Sequence, residues 1–413
     1  MWFYVQRVLI PYEKADAAAH ERPRGNLSDL YPRWLGAREL LRHHRNPYGD
    51  DITREIQQGY YGRALDPNRP NDPKDQQGFA YPVYVVFLLA PVMDLPFDEV
   101  QAFFYWLLLG LTAASVWLWL RALRWWLPAL AIATCIVFTL GSFPAVQGIK
   151  LEQLSLLVAA LLAGAAACVA SGFLFCGGGL LALATIKPQL AWPLVAWLVV
   201  WAVCDWRKRW RFLFGFGLVM ALLLAAAEII LPGWWAMFFE ALQRYHRYTQ
   251  NQSVLLIPGV FSEIVTVVLV LACGFLLWKL RGESANAEKF GAAISLVMAL
   301  TVLVVPMYAP YNQVLLVPAI LVLARDRTLL TSRSRAIRFL YLAGVLALTW
   351  QWIASIGLSC IYLFASPALA LSGWKWPFFA TFILPVLVFA LIFLDVRALL
   401  LPSPALPRDG HAE

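Results

Sequence analysis

Asp29 is an isolated carboxylate near the front of a chain of 413 residues, 61% of them hydrophobic, and it sits in the stretch "GNLSDLYPRWLGAREL". Two roles are open to it. Its side chain, with that of Ser28, can cap free amides at the start of a helix, or it can act as a general base at the membrane surface, taking a proton from a hydroxyl. Lys187 lies in "IKPQ", between two short apolar runs. An ammonium there is costly unless it meets an anion such as phosphate or snorkels to headgroups. Lys150 and Glu152 are two apart, do not share a helix face, and read as a surface pair in an irregular loop. Arg244, His246 and Arg247 fall on an aromatic-rich segment, which a basic interfacial helix explains without chemistry. Asn251, Gln252 and Ser253 suit either sugar hydroxyls or a capped turn, and Glu228 stands in an apolar run with no evident partner.

These groups must be positioned by membrane helices. Only 14% of the residues are charged, against roughly 25% in soluble domains, and apolar runs near spanning length recur from about residue 103 to 394. Each must be helical, because lipid offers backbone groups no partner. The fold class is therefore all-α, a polytopic membrane bundle. Spans are expected near 82–95, 99–120, 125–140, 154–170, 173–186, 190–204, 212–231, 260–280, 290–305, 312–324, 339–362 and 376–395. Residues 1–12 read as the tail of a further helix, 13–81 as an extracytoplasmic loop, 82–395 as the transmembrane domain and 396–413 as a cytoplasmic tail. In the loop, Leu30, Trp34, Ala37 and Leu41 follow helical spacing, with Arg33, Arg38, Glu39 and Arg42 on the other face, as in an interfacial helix. A second polar helix is expected near 52–65, and "DPNRPNDPKDQQG" at 66–78 reads as loop.

The net charge is +8, but the basic residues form no single patch with interleaved aromatics, which argues against nucleic acid. They gather in "DWRKRWR" (205–211), "KLRGESANAEK" (279–289) and "RDRTLLTSRSRAIR" (325–338), which the positive-inside rule puts in the cytoplasm. Counting crossings then exposes a conflict. If 82–95 spans fully, Arg121 and Arg124 come out on the opposite side, so either 82–95 dips in and returns or a later short pair fails to cross. Six cysteines and five histidines are scattered without metal-ligand spacing, so no metal is expected.

The order of motifs resembles a known family. "SDLYPRWLGARELLRHHRNPY" (28–48) resembles the Asp-containing first outer loop of glycosyltransferase family 87, C-type enzymes that include polyprenol-phosphate-mannose-dependent α-(1→2)-mannosyltransferases. "FAYPVYVVFLLAPVMDLPF" (79–97) resembles its Tyr-Pro-Pro lead into the next membrane segment, with Val83 in place of the second proline. "GLLALATIKPQLAWPLVAWLVVW" (179–201) resembles its Lys-Pro segment and "QNQSVLLIPGVF" (250–261) its Asn-Gln-Ser turn. "LEQLS" (151–155) stands where Gly-Gln-x-Asn is usual and keeps Gln153, while "YAPYNQ" (308–313) lacks a tryptophan common there.

The resemblance implies an inverting transferase that moves a hexosyl group, mannosyl in the best-known members, from a polyprenyl phosphate to a hydroxyl of a glycan or glycolipid. The reaction would occur on the extracytoplasmic face of the cell membrane, without a cofactor. It makes Asp29 the base and Lys187, with Lys150 or Arg247, the partner of the departing phosphate. Tyr81, Gln153, His246, Asn251 and Gln252 complete the implied substrate-binding set. A lipid-linked sugar flippase or other transporter is the alternative from another class, although no internal repeat of the transporter kind is visible. The transferase reading requires Asp29 and Lys187 to open onto one cavity.

Overall fold

The computed structural model describes residues 1–19, 28–66, 68–249, 260–305 and 308–401. Among them there is no strand, and the chain is an all-α polytopic bundle. Trp2–Tyr4 (α1) passes through a π-helical stretch, Val5–Leu9, into Ile10–Ala19 (α2). Tyr31–His43 (α3) and Asp50–Tyr61 (α4) are the amphipathic helices of the first loop. α3 buries Trp34, Ala37 and Leu40, and α4 buries Ile52, Ile56 and Tyr60 at the four-residue spacing of a single helix face. Arg45 joins the two helices by bonding Glu39 (2.8 Å), Asp51 (2.8 Å) and Glu55 (2.6 Å).

The expected span at 82–95 is not one. It forms only Val85–Leu89 (α5) and a 3-10 turn, Ala90–Val92. Five residues rise about 7.5 Å, far short of a roughly 30 Å hydrocarbon core. Prolines at 91 and 96 break the run, and α5 packs on α3. The next helix, Phe97–Ala122 (α6), starts on the same side, with Phe97 4.9 Å from the ring of Tyr31 and 5.2 Å from that of Trp34. The segment dips in and returns, and the crossing conflict disappears. Arg121 and Arg124 fall at the end that carries the later basic loops, where Arg325 donates to the carbonyl of Leu123 at 3.4 Å.

Ala129–Leu140 (α7) and Phe143–Lys150 (α8) follow, bent by 60°. The irregular loop expected around Lys150 is thus helical up to Lys150 itself, with Ser142 as the N-cap of α8. Then come Leu154–Ala170 (α9), Leu174–Ala184 (α10), Pro188–Cys204 (α11), Trp206–Ile230 (α12) and the interfacial Trp234–Thr249 (α13). Val260–Leu280 (α14), Glu288–Val304 (α15), a 3-10 stretch Pro310–Leu316 leading into Val317–Arg325 (α16), and Arg327–Arg333 (α17) continue the chain. Arg335–Phe364 (α18), Pro367–Ser372 (α19) and Phe379–Leu399 (α20) complete it. Among the described residues five helices can cross a membrane alone by length and composition, and the α7–α8 pair makes a sixth if it is one broken span. Glu228 accepts from the amide of Gly233 at 2.8 Å and so closes the end of α12.

α9 is the axis of the bundle. It is alanine-rich and buried along nearly its whole length against α6 and α10, because small side chains let helix backbones approach closely where lipid supplies no hydrophobic drive. α10 and α12 take this to the limit. A Cβ on Gly178 would collide with the backbone of Phe212, and one on Gly215 with the backbone of Phe175.

Overpacking that contact should be costly. Gly178→Leu or Gly215→Leu should lower stability by about 1–3 kcal/mol or more, whereas Gly217→Ala, which faces open space, should not. Thermal unfolding of the detergent-solubilised protein measures the difference.

Candidate active site

One backbone bond ties the turn before α3 to the turn before α9, and a second closes the latter on itself. The Asp29 amide donates to the carbonyl of Leu151 at 2.9 Å, and that of Gln153 to Gly148 at 2.8 Å. Glu152 between them holds φ at 45°, in the left-handed region, which reverses the chain tightly and turns Gln153 toward Asp29. The Glu152 carboxyl is buried and receives hydrogen bonds from Gln101 (3.2 Å) and Ser28. Lys150 turns away to Gln6 (3.3 Å) and the ring of Trp2 (5.6 Å). The expected Lys150–Glu152 pair is therefore absent, because the left-handed turn sends the two side chains to different neighbours.

Asp29 is not the helix cap. α3 begins after Leu30 with no side-chain cap bond, although the Leu30 amide reaches Ser28 Oγ at 3.3 Å. The carboxylate instead accepts from Gln153 Nε2 on one oxygen and from the Tyr60 hydroxyl at 3.2 Å on the other. Burial and the charge of Asp29 push the Tyr60 phenol well above its usual range, so it stays a neutral donor. Gln153 Oε1 accepts from Lys187 Nζ at 3.1 Å. One carboxamide thus joins the acid to the ammonium, its donor end toward the anion and its acceptor end toward the cation.

Lys187 is buried rather than snorkelling. It also donates to Ser155 Oγ, which in turn donates to Asn312 Oδ1 at 3.0 Å. The Tyr311 ring centroid lies 5.2 Å from the ammonium and that of Tyr81 6.0 Å, within cation–π range. Tyr81 is held by its carbonyl, which accepts from the Tyr48 hydroxyl at 2.6 Å. Arg33 also lies over the Tyr81 ring, 4.5 Å from its centroid, and donates to the carbonyl of Asp29 at 2.8 Å. Its Nε is buried and has no hydrogen-bond partner among the described residues, a donor that a bound anion would satisfy.

Asp29, Arg33, Tyr81, Gln153, Lys187, Tyr311 and Asn312 open onto one cavity of about 590 Å³, with Asp75 and Gln77 on the wall made by the 66–78 loop. α13 closes another side through Phe238, Leu242 and Tyr245, pinned by Arg244 to Asp50 (2.9 Å) and the Tyr48 carbonyl (3.0 Å). Of the residues expected here, Lys150 and Arg247 do not line the cavity, and Arg247 is exposed. The side chain of His246, and Asn251 and Gln252 as a whole, lie outside the described residues. Arg33, Tyr60, Ser155, Tyr311 and Asn312 were not singled out as site residues from the sequence. The spacing of Arg33, one helical turn after Asp29, was the available signal. Among the described residues no three His, Cys, Asp or Glu side chains gather to hold a metal ion.

Residues 79–306 match the family model described as Glycosyltransferase family 87, more than half of the chain. The match covers Tyr81, Gln153 and Lys187; Asp29 precedes it. No curated protein and no solved structure matches.

Burial lifts the Glu152 carboxyl, in a turn outside the spanning helices, from 4.5 to about 7, with the nearby charge of Asp29 adding to the rise. A raised folded-state value means the folded protein holds the extra proton. The stabilisation is complete below the unfolded value and is lost as pH climbs through about 7. Wild type should therefore lose thermal stability between pH 5 and 8 relative to Glu152→Gln, whose melting temperature should be flatter over that range.

Proposed function

This chain belongs to glycosyltransferase family 87 and is a membrane glycosyltransferase, and from that premise we propose that it moves a hexosyl group from a polyprenyl-phosphate sugar to an acceptor hydroxyl with inversion. Family membership decides against the transporter alternative. The observation that carries the mechanistic reading is the chain Asp29–Gln153–Lys187 on the wall of a single cavity.

The reaction needs a base on one side of the anomeric carbon and cations on the other. Asp29 takes the acceptor's proton as the acceptor oxygen bonds to that carbon, worth typically about 10² to 10⁴ in rate. The bond from the anomeric carbon to the phosphate oxygen breaks, and its electron pair leaves with the polyprenyl phosphate. Lys187 and the unsatisfied Nε of Arg33 meet the growing negative charge, in a buried setting where such donors act strongly. Polyprenyl phosphate, released from the phosphodiester, is already a good leaving group, so one carboxylate suffices and no general acid is assigned. Holding both substrates in one enclosed cavity adds the benefit of alignment. Mannose as the sugar rests on the family resemblance alone.

Orientation follows the same reading. The basic loops lie at the end of the bundle opposite Asp29, and the positive-inside rule supports a cavity facing the extracytoplasmic side of the cell membrane. The lipid tail of the donor then stays in the bilayer while α3, α4 and α13 keep the base at headgroup depth. A glycan or glycolipid acceptor approaches past Asp75 and Gln77.

Two variants test the assignment in purified protein supplied with a panel of polyprenyl-phosphate sugars. Asp29→Asn should cut turnover by about 10³ or more with an unchanged melting temperature, and retained turnover would remove Asp29 from the chemistry. Lys187→Ala should cut donor turnover about 10² to 10³, and an unaltered donor dependence would leave it a structural role.

A further inference from the structure

The helices that hold the Asp29 cavity at one end hold a second cavity, also about 590 Å³, at the other. It lies among the C-terminal ends of α6, α9 and α11, the start of α12 and the turn at 282–286 before α15. α6, a helix long enough to span, begins with Phe97 against Trp34 of α3 and ends beyond Arg121, 26 residues and about 39 Å of rise, so the two cavities belong to opposite membrane faces. Arg121, Arg124, Lys208 and Arg209 line the second cavity against one carboxylate, Asp205.

Structural duties occupy two of the four cations. Arg209 is buried and donates to the carbonyls of Trp201 (2.6 Å), Arg281 (3.1 Å), Gly282 (3.2 Å) and Glu283 (2.8 Å). Lys208 sits 3.4 Å from Asp205. Arg121 and Arg124 have no such duty. Arg121 stacks on Trp126 (4.4 Å) and Trp117 (5.0 Å) while remaining exposed. The Arg124 side chain makes no hydrogen bond or ion pair among the described residues. Its backbone holds φ at 53° just past the end of α6, where the Trp125 amide reaches back to the Leu120 carbonyl at 3.0 Å. Glycine is cheapest at that position, so an arginine there accepts backbone strain to place a cation on the cavity wall.

We propose that Arg121 and Arg124 bind a phosphate group in this cavity, making it an anion site separate from the sugar-transfer site. Two guanidinium forks fit phosphate oxygens in bidentate fashion, and the volume suits a headgroup or a small phosphate ester. Lys208 lines the same cavity. The exposed indoles of Trp126 and Trp206 mark headgroup depth, where basic pockets between membrane helices meet anionic lipids. The same phosphate chemistry is available from an anionic lipid or from a soluble ester.

The test measures binding rather than transfer, so it stands or falls apart from the proposed reaction. The full chain in phosphatidylcholine micelles is titrated with phosphatidylglycerol in one arm and with glycerol 3-phosphate in the other. Arg121→Gln/Arg124→Gln is compared with Arg327→Gln/Arg335→Gln, which removes two exposed charges outside the cavity. The cavity variant should bind at least about tenfold more weakly, with its melting temperature in pure phosphatidylcholine unchanged and the second variant like wild type. Loss in the phosphatidylglycerol arm alone identifies a lipid ligand, and loss in the glycerol 3-phosphate arm a soluble one. Equal affinity of wild type and cavity variant in both arms, or equal weakening in the two variants, overturns the proposal.

Discussion

The candidate site depends on a neutral carboxamide held between two opposite charges. Asp29 and Lys187 would attract each other by about 4 kcal/mol at 4 Å and an effective dielectric of 20, and direct contact would consume both groups. Gln153 prevents that by bonding each with a different end of one amide. The acid and the ammonium are thus spaced by a side chain, both stay hydrogen-bonded, and both keep a face toward the cavity. A substrate with a phosphate at one end and a sugar carbon beside it has a charge to meet at each end of that chain.

Everything around Gln153 serves its placement. It is the N-cap residue of α9, the most deeply packed helix, so the amide inherits the rigidity of the bundle's axis. The left-handed turn at Glu152 and the backbone bond from Asp29 to Leu151 bring a loop carboxylate to that rigid point. Lys187 arrives by a different route, at the break between α10 and α11, where Pro188 starts the new helix. Their meeting therefore relies on α9, α10 and α11 keeping register, which the close glycine contact between α10 and α12 enforces from outside.

The polar chemistry is confined to the ends of the helices because charges in the hydrocarbon are expensive. Of the two cavities, one is formed by carboxylates and cations in balance and the other by cations in excess. The dipping segment around α5 matters to both, since its return to the starting face sets the direction of α6 and with it the side on which Arg121 and Arg124 emerge.

Composition and periodicity alone determined the all-α membrane class, the interfacial helices after Asp29, and the concentration of basic residues at one face. These properties are legible because hydrocarbon imposes them residue by residue, through length and polarity. Asp29, Gln153, Lys187 and Tyr81 were also legible, by resemblance to a family's motifs, and the structure gathers all four on one wall. What only the tertiary structure decided was which polar groups meet. Lys150 and Arg247 carry suitable charge but do not line the cavity, while Arg33, which helical spacing assigns to the outer face of α3, turns over Tyr81 into the cavity. Of the readings left open for 82–95, the dip and return is the one the fold takes, since its hydropathy suits a span while its prolines limit the helix to five residues. Side-chain direction at a helix end is set by one backbone angle, as at Glu152, and the spacing of residue types carries no record of it.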